Sequence, residues 1–147
     1  MGMGLFSALS VAASGMAAQR TRAQVITENL ANAETTRTPE GGPYRRKDVI
    51  FESAGSAADF RSALGDAMGG SKTGVAVSDI VTDTREPERR YIPGHPDADK
   101  EGYVLFPHVN PAEDMVDLMG ASRGFQANVS AMSAIKDMIR SSIDLMR

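Results

Sequence analysis

The chain has 147 residues, the length of about one domain, and 41% of them are hydrophobic while only 5% are aromatic. Its net charge of -3 argues against a general affinity for nucleic acid or anionic membranes, because binding to phosphates needs a positive field. The sequence contains no cysteine, which excludes disulfides, thiol catalysis and thiolate metal sites.

The first predicted element is a helix from about Leu5 to Asn32, roughly 40 Å long. The hydrophobic run at its start has the length of a signal-peptide core, but no Lys or Arg precedes it, so we expect a helix that is kept and not cleaved. Residues spaced seven apart predict a packing seam that is interrupted at Gln19. The seam consists of Leu9, Met16, Ala23 and Leu30, with Leu5, Ala12, Ile26 and Ala33 beside them.

Two asparagines stand where this helix is predicted to end. We expect Asn32 to close the helix in the left-handed conformation, with its amide bonded to a free carbonyl group. Asn29, one turn earlier, is expected to face a neighbouring subunit and to favour one register, as polar residues do in coiled coils. The alternative is that both amides lie on the surface.

A loop over residues 35–44 leads into a predicted β module. Four short runs bounded by Gly, Pro and Asp are predicted strands: "RRKDVIFES", "TGVAVSDIVTD", "RRYIP" and "EGYVLFP". The stretch from Ser56 to Met68 is compatible with a short helix or a flexible loop.

A second long helix is predicted from Pro111, with Glu113 and Asp114 in its first turn, where they suit the helix dipole. A single apolar stripe indicates the core of a helical hairpin, whereas stripes on both terminal helices favour an intermolecular bundle. Asn128 is expected to fix register as Asn29 does. The second stripe consists of Met115, Leu118, Phe125, Val129, Met132, Ile139, Ile143 and Met146.

Motifs for catalysis or phosphate binding are absent from the sequence: it has no Gly-rich phosphate loop, HExxH or nucleophile elbow. His95, Asp97 and Asp99 alternate in "GHPDADKEG" and suit metal ligation, although the prolines and glycine around them make a polar turn the simpler interpretation.

Two clusters, residues 44–47 and 89–91, interleave basic and aromatic residues as some nucleic-acid binders do. Acidic residues close by in the sequence favour a solvated face or a charged subunit contact. His108 is expected to follow the end of a strand.

Three stretches, in this order along the chain, resemble a known family. "ALSVAASGMAAQRTRAQVITENLANAETTRT" resembles the N-terminal signature of bacterial flagellar rod and hook proteins, and "VNPAEDMVDLMGASRGFQANVSAMSAIKDMI" resembles their C-terminal signature. "RRYIPGHPDADKEGYVLFPHVNP" is similar to the corresponding stretch of the proximal-rod members. His108 and Phe125 depart from the residues common in the family, and both departures are mild.

The resemblance implies a structural, non-enzymatic subunit that needs no cofactor. It implies export of the unfolded chain through the flagellar type III apparatus, without a cleaved signal peptide, and assembly of the terminal helices as an antiparallel coiled coil in the wall of a periplasmic tube. The implied partners are other rod subunits, the junction between rod and membrane ring, and the export apparatus, in a hetero-oligomer with several copies. Neither nucleic-acid binding nor a direct membrane span is implied.

The predicted fold is mainly α with a small β insertion (α+β). Residues 1–34 form the N-terminal helix, 35–110 the loop and β module, and 111–147 the C-terminal helix, with the two helices in one core domain. Two other functions stay open: an adaptor that captures a partner helix, and a metal-dependent hydrolase built on His95, Asp97 and Asp99. The predicted assembly interface consists of Leu5, Leu9, Met16, Ile26, Asn29, Leu30, Asn32, Met115, Leu118, Phe125, Asn128, Val129, Met132, Ile139, Ile143 and Met146.

Overall fold

A computed structural model describes residues 2–54 and 74–145. The two predicted helices and the four predicted strands are confirmed, in an α+β arrangement, whereas the stretch from Ser56 to Met68 lies outside the described residues. The elements in chain order are helix α1 (Gly2–Ala31), strands β1 (Lys47–Ser53), β2 (Val75–Thr82), β3 (Glu88–Tyr91) and β4 (Tyr103–Phe106), and helix α2 (Pro111–Asp144).

Helix α2 begins where the sequence supplies a cap. The side chain of Asn110 accepts a hydrogen bond from the backbone N–H of Ala112 at 3.1 Å, and Pro111 occupies the first helical position, where its missing N–H costs nothing. Neither α1 nor α2, over the part of the chain that the structure describes, is long and apolar enough to cross a membrane.

Helix α1 ends by a different route from the one predicted. The amide of Asn32 donates to the carbonyl of Glu28 at 2.9 Å, which confirms the expected side-chain cap. The expected left-handed backbone at Asn32 is wrong, because within residues 2–54 and 74–145 only glycines have positive φ. The backbone N–H of Asn32 also reaches the carbonyls of Glu28 and Asn29, so a tightened last turn closes the helix without a left-handed residue.

The two helices pack against each other and run antiparallel. Gly15 lies against Asn128, and Gln19 lies against Gly124. A nitrogen of Arg22 is 3.6 Å from a carboxylate oxygen of Asp117. Residue numbers thus rise along α1 as the numbers of the contacted residues fall along α2. The antiparallel arrangement is therefore established, while the coiled coil stays a prediction. The buried apolar residues of the two helices are mostly small; they are Ala12, Ala18, Val25, Ile26, Ala121 and Ile135.

Strands β1 and β2 form an antiparallel hairpin that packs along α1. Asn29 holds Lys47 at one end of the hairpin, and at the other end the hydroxyl of Ser14 accepts from the backbone N–H of Val75 at 3.1 Å. Ser14 and Asn29 are separated by about 22 Å along the helix axis, and seven strand residues span about 23 Å. This stretch of the helix and the hairpin thus match in length. Gly74 leaves room for Ser14, since a Cβ on residue 74 would lie 2.9 Å from the hydroxyl oxygen of Ser14.

Strands β3 and β4 form a second antiparallel hairpin. Val104 and Phe106 are buried on one face of it. On the other face the rings of Tyr91 and Tyr103 meet edge to face with centroids 5.3 Å apart, at directly paired positions. The alternation of β4 between buried and exposed residues is that of a strand with one covered face.

The Ser14 contact generates a prediction. Ser14→Ala removes the acceptor for the Val75 amide and should cost about 1 kcal/mol. Hydrogen exchange should accelerate at Val75 more than at Lys47, whose backbone is held by Asn29. The matched control is Ser10→Ala, because the Ser10 hydroxyl donates to the Ser7 carbonyl of its own helix and, among the described residues, makes no bond to the hairpin. Equal acceleration at both ends of the hairpin would contradict a local contact.

Candidate assembly surface and polar clamp

A cluster of polar side chains joins the end of α1, the start of β1 and the start of α2. We call Asn29, Tyr44, Arg46, Lys47 and Asp114 the polar clamp. Asn29 is fully buried, and its oxygen accepts from the Tyr44 hydroxyl and the Lys47 backbone N–H, both at 2.9 Å. Its amide nitrogen donates to the Lys47 carbonyl at 2.8 Å. One side chain therefore satisfies both backbone groups of Lys47, which a buried hairpin end requires.

The second part of the polar clamp is an ion pair. A guanidinium nitrogen of Arg46 lies 2.9 Å from a carboxylate oxygen of Asp114, and the Asp114 side chain is 1% exposed. Burial lowers the pKa of Arg46, but the hydrogen bond to Asp114 and the nearby carboxylates outweigh it and raise that pKa overall. The pair ties the residue before β1 to the first turn of α2. Loss of one partner would leave an uncompensated charge, which is far costlier than loss of both.

Burial also perturbs Tyr44. Its ring is nearly covered, and desolvation, followed by the charges of Glu28 and Asp114, raises the pKa of Tyr44 to about 12. The phenol therefore stays a hydrogen-bond donor to Asn29 at all physiological pH values. Lys47 completes the surroundings by pairing with Glu28 on the outside of α1.

These positions correct part of the predicted interface. Asn29 was expected to face a neighbouring subunit, but it is enclosed by its own chain, and Ile26 is only 5% exposed. Asn128 lies against Gly15 of α1 in its own chain. Asn32 is half-buried at the end of α1. Heptad spacing predicted only Ile26 among these residues, and the asparagines were predicted from the chemistry of their amides; neither argument indicates whether the covering surface belongs to the same chain.

The row of larger residues in each predicted stripe lies beside the helix contact, whereas Ala12, Gln19 and Ile26 of the companion row in α1 lie within it. An α-helix turns about 100° per residue, so Met16 and Leu30 are rotated to one side of Gly15 and Gln19. Because α2 runs antiparallel, its stripe falls on the same side of the pair, opposite the face of α1 that carries Ser14 and Asn29. We call this surface the apolar groove, and it is formed by Leu9, Met16, Ala23 and Leu30 with Leu118, Phe125, Met132 and Ile139.

Exposure increases from the apolar groove outwards. Most groove residues are half-buried, and Phe125 is 39% exposed. Further round α2, Met115 and Ile143 are 54% and 56% exposed, and Val129 is also exposed. Leu5 is half-buried near the start of α1, and Met146 lies outside the described residues. A row of large apolar side chains is thus left partly uncovered along the helix pair, as at surfaces that bind other proteins.

The segment with His95, Asp97 and Asp99 forms the polar turn that was the simpler interpretation. Asp97 accepts from the Thr36 hydroxyl at 2.8 Å and pairs with Arg37. Asp99 accepts the backbone N–H groups of residues 101 and 103, and His95 accepts that of Asp97. Across the described ranges no group of three or more His, Cys, Asp or Glu is placed to hold a metal ion.

The two basic clusters are paired with acids of the same chain. Arg46 meets Asp114, and Lys47 meets Glu28. Arg89 stacks on the Tyr103 ring, and Arg90 bonds Glu88 at 2.9 Å. These contacts are compatible with either of the two expected roles, a solvated face or a charged subunit contact, and the choice between them stays a prediction. His108 follows the end of β4, as predicted.

Two models of flagellar families match the chain. Residues 9–37 match the family described as "Flagella basal body rod protein", and residues 100–145 match "Flagellar basal body rod FlgEFG protein C-terminal". The first range covers most of α1, and the second covers β4 and α2. The two matches therefore include both sides of the apolar groove.

Full-length relatives extend the match to the whole chain. It is 41% identical to the flagellar basal-body rod protein FlgC of Borreliella burgdorferi, covering 99% of both proteins. It is 43% identical to the protein of that name in Bacillus subtilis, over 97% of this chain and 99% of the relative, and 38% identical to that of Salmonella typhimurium, over 97% and 98%. The chain belongs to the flagellar basal-body rod proteins, and within them to the FlgC family.

The polar clamp predicts unequal effects for two neighbouring asparagines. Asn29→Ala leaves the Tyr44 hydroxyl and both backbone groups of Lys47 without their partner, and should lower the free energy of unfolding by about 3 kcal/mol. Asn32→Ala is the matched control, since it loses bonds at a half-exposed helix end, and should cost less than about 1 kcal/mol. Urea denaturation measures both values. Equal costs would contradict the central role of Asn29.

The raised pKa of Tyr44 predicts a loss of stability in alkali. The unfolded chain releases the phenolic proton near its usual value of 10.0, whereas the folded chain keeps it until about pH 12. In that interval the unfolded state binds fewer protons, so the free energy of unfolding should fall by about 1.4 kcal/mol per pH unit from this group. Tyr44→Phe should remove that part of the slope in denaturation curves. If the free energy of unfolding falls equally with pH in the unmodified protein and in Tyr44→Phe, the prediction is wrong.

Proposed function

We propose that this chain is a structural subunit of the proximal part of the flagellar basal-body rod, without catalytic activity or a cofactor. It assembles through α1 and α2, which form an antiparallel coiled coil in the periplasmic tube wall. The observation that carries the proposal is the apolar groove, which is continuous along the helix pair and lies on the side opposite the β1–β2 hairpin.

The occupant of the apolar groove is a helix of a neighbouring rod subunit. The groove follows the heptad spacing of both helices, and a third helix with the same spacing can lay its side chains between those rows. Its partly exposed Leu, Met and Phe side chains lose solvent-accessible apolar surface when a helix covers them. Each Å² of apolar surface buried in this way stabilises the contact by about 25 cal/mol. Exposed residues such as Met115 and Ile143 extend the surface to further subunits.

The chain divides into two units in this account. The helices, within residues 1–34 and 111–147, form the core that transmits torque by rigid lateral and axial packing. Residues 35–110 form the smaller outward unit, fixed to the core by the polar clamp. Its charged surfaces face other rod subunits and the junction with the membrane ring, in a hetero-oligomer with several copies.

Export through the flagellar type III apparatus, without cleavage, fits the position of α1. Removal of residues up to the region of Ala18 would delete one wall of the apolar groove at Leu9 and Met16. It would also remove Ser14, which holds one end of the hairpin. A processed chain could not rebuild this surface.

An adaptor that captures a single partner helix is the second candidate, and the apolar groove also favours it. The two functions differ in stoichiometry, because a rod subunit adds copies in a regular array while an adaptor binds one partner and stops. Mixing the purified chain with other rod subunits and measuring the mass of the products distinguishes them.

A charge in the apolar groove should block assembly and leave the subunit folded. Leu118→Asp and Ile139→Asp each place a carboxylate where a neighbour's helix would bury it unpaired. We expect loss of rod assembly and motility with normal secretion of the subunit. Ala127→Asp, at an exposed position on the hairpin side of α2, is the matched control and should assemble. Retention of both groove variants in the cytoplasm at normal expression would count against this mechanism.

Mass spectrometry of the chain from purified basal bodies tests whether α1 is retained. We expect peptides from Leu5 onwards in the assembled protein, because α1 supplies half of the apolar groove. The matched sample is the same chain purified from the cytoplasm. Its first detected residue should be the same as that of the chain from basal bodies. A mature N-terminus beyond residue 15 in basal bodies would overturn both the export route and the role of α1.

A further inference from the structure

The contact between α1 and α2 contains two amide side chains, each placed against a glycine of the other helix. A Cβ on Gly15 would lie 3.0 Å from Nδ2 of Asn128, and a Cβ on Gly124 would lie 3.1 Å from Cδ of Gln19. Contacts this short are tighter than ordinary van der Waals contacts, so a Cβ at either position would make the facing amide shift by a few tenths of an ångström. We call these two contacts the amide seats.

The amide seats share one sequence pattern. "GMAAQ" in α1 and "GFQAN" in α2 each place an amide residue one helical turn after a glycine. When the helices run antiparallel, the two segments meet with each glycine opposite the other segment's amide. A helix displaced by one turn loses both contacts at once, so the fit is complete only in the observed register.

The hydrogen bonds of the amides do not explain their presence. Asn128 donates to the carbonyl of Gly124 in its own helix at 3.0 Å, and this bond needs nothing from α1. Oε1 of Gln19 is buried without a hydrogen-bond partner among the described residues. A buried acceptor without a donor costs free energy, so an apolar side chain at this position should hold the helices at least as firmly.

Outside the amide seats, two other polar contacts also bear on register: the polar clamp, which ties the first turn of α2 to Arg46 beside Asn29, and the ion pair of Arg22 with Asp117, whose side chains are 40% and 45% exposed. The other buried residues of the contact are apolar, among them Ala12, Ile26, Ala121 and Ile135, and apolar side chains carry no hydrogen-bonding preference for one register. A polar residue within a helical seam is known to select one register at some cost in stability. We propose that Gln19 and Asn128, through the amide seats, fix the axial register of α1 on α2. They thereby align the two walls of the apolar groove.

The proposal concerns one subunit and does not depend on the rod assignment. It is tested on the purified full-length chain, whose sequence has no cysteine, so spin labels can be attached at Thr27→Cys and Ser133→Cys. Both positions are exposed, on different helices and far apart along the pair. Double electron–electron resonance measures the distance between the labels, and the unmodified seats should give one narrow distribution.

Gln19→Leu should add a second population displaced by about 5 Å, one helical turn, or about 10 Å, one heptad. Its thermal midpoint should be unchanged or higher, because the buried unpaired oxygen is gone. Gln24→Leu makes the same change at an exposed position of α1 and should keep one distance. A single unchanged distance in Gln19→Leu, or a loss of its helical structure, would overturn the proposal.

A second pair of variants distinguishes two roles of Asn128: filling space beside Gly15, and fixing the axial register of the helices. Gly15→Ala should lower the thermal midpoint although alanine favours helices, since its Cβ meets Asn128. Adding Asn128→Ala should restore the midpoint while producing mixed distances. If the double variant keeps one narrow distance, Asn128 serves packing alone and the proposal fails.

Discussion

The buried amide of Asn29 is the interaction on which the arrangement of this subunit depends. It lies where α1 ends and bonds both backbone groups of Lys47, the first residue of β1, as well as the hydroxyl of Tyr44. Next to it, Arg46 reaches the buried carboxylate of Asp114 in α2. With few aromatic residues in the chain, the polar contacts at this junction fix orientations that a small apolar core would leave loose, although one carboxylate oxygen of Asp114 is buried without a hydrogen-bond partner among the described residues.

A consequence of this arrangement is that α1 has three differently used faces. One face, with Ser14 and Asn29, holds the β1–β2 hairpin, and a second, with Gly15 and Gln19, meets α2. The third face carries Leu9, Met16 and Leu30 and is only half covered. The third face therefore leaves large apolar side chains partly uncovered, and these are the residues that we propose as the contact with other subunits.

Local patterns in the sequence were sufficient to predict the elements. Heptad spacing identified both helices, Pro111 marked the start of α2 where it is observed, and short β-branched runs identified the strands. The turn around His95 followed from its prolines and glycine. These features depend on neighbours in sequence, so the chain alone was enough.

The assignment of residues to faces required the tertiary structure. Periodicity marks apolar rows, but it cannot tell a row covered within the chain from one left for a partner. The helices approach most closely at Gly15 and Gly124, which belong to no apolar pattern. The rows that contain Met16 and Phe125 therefore lie beside the helix contact and not at its centre. The partners of Asn29 and Asp114 come from residues 44–47, far from α2 in sequence, and spacing within a helix carries no information about them.

The central claim is that the apolar groove is a contact between subunits, and electron cryomicroscopy of an intact basal body that contains this chain tests it most directly. The account predicts a helix of a neighbouring subunit lying between the rows that include Met16 and Phe125, with the β1–β2 hairpin on the opposite side of the helix pair. A density map in which this groove faces solvent, with subunits joined only through the hairpins, would contradict it.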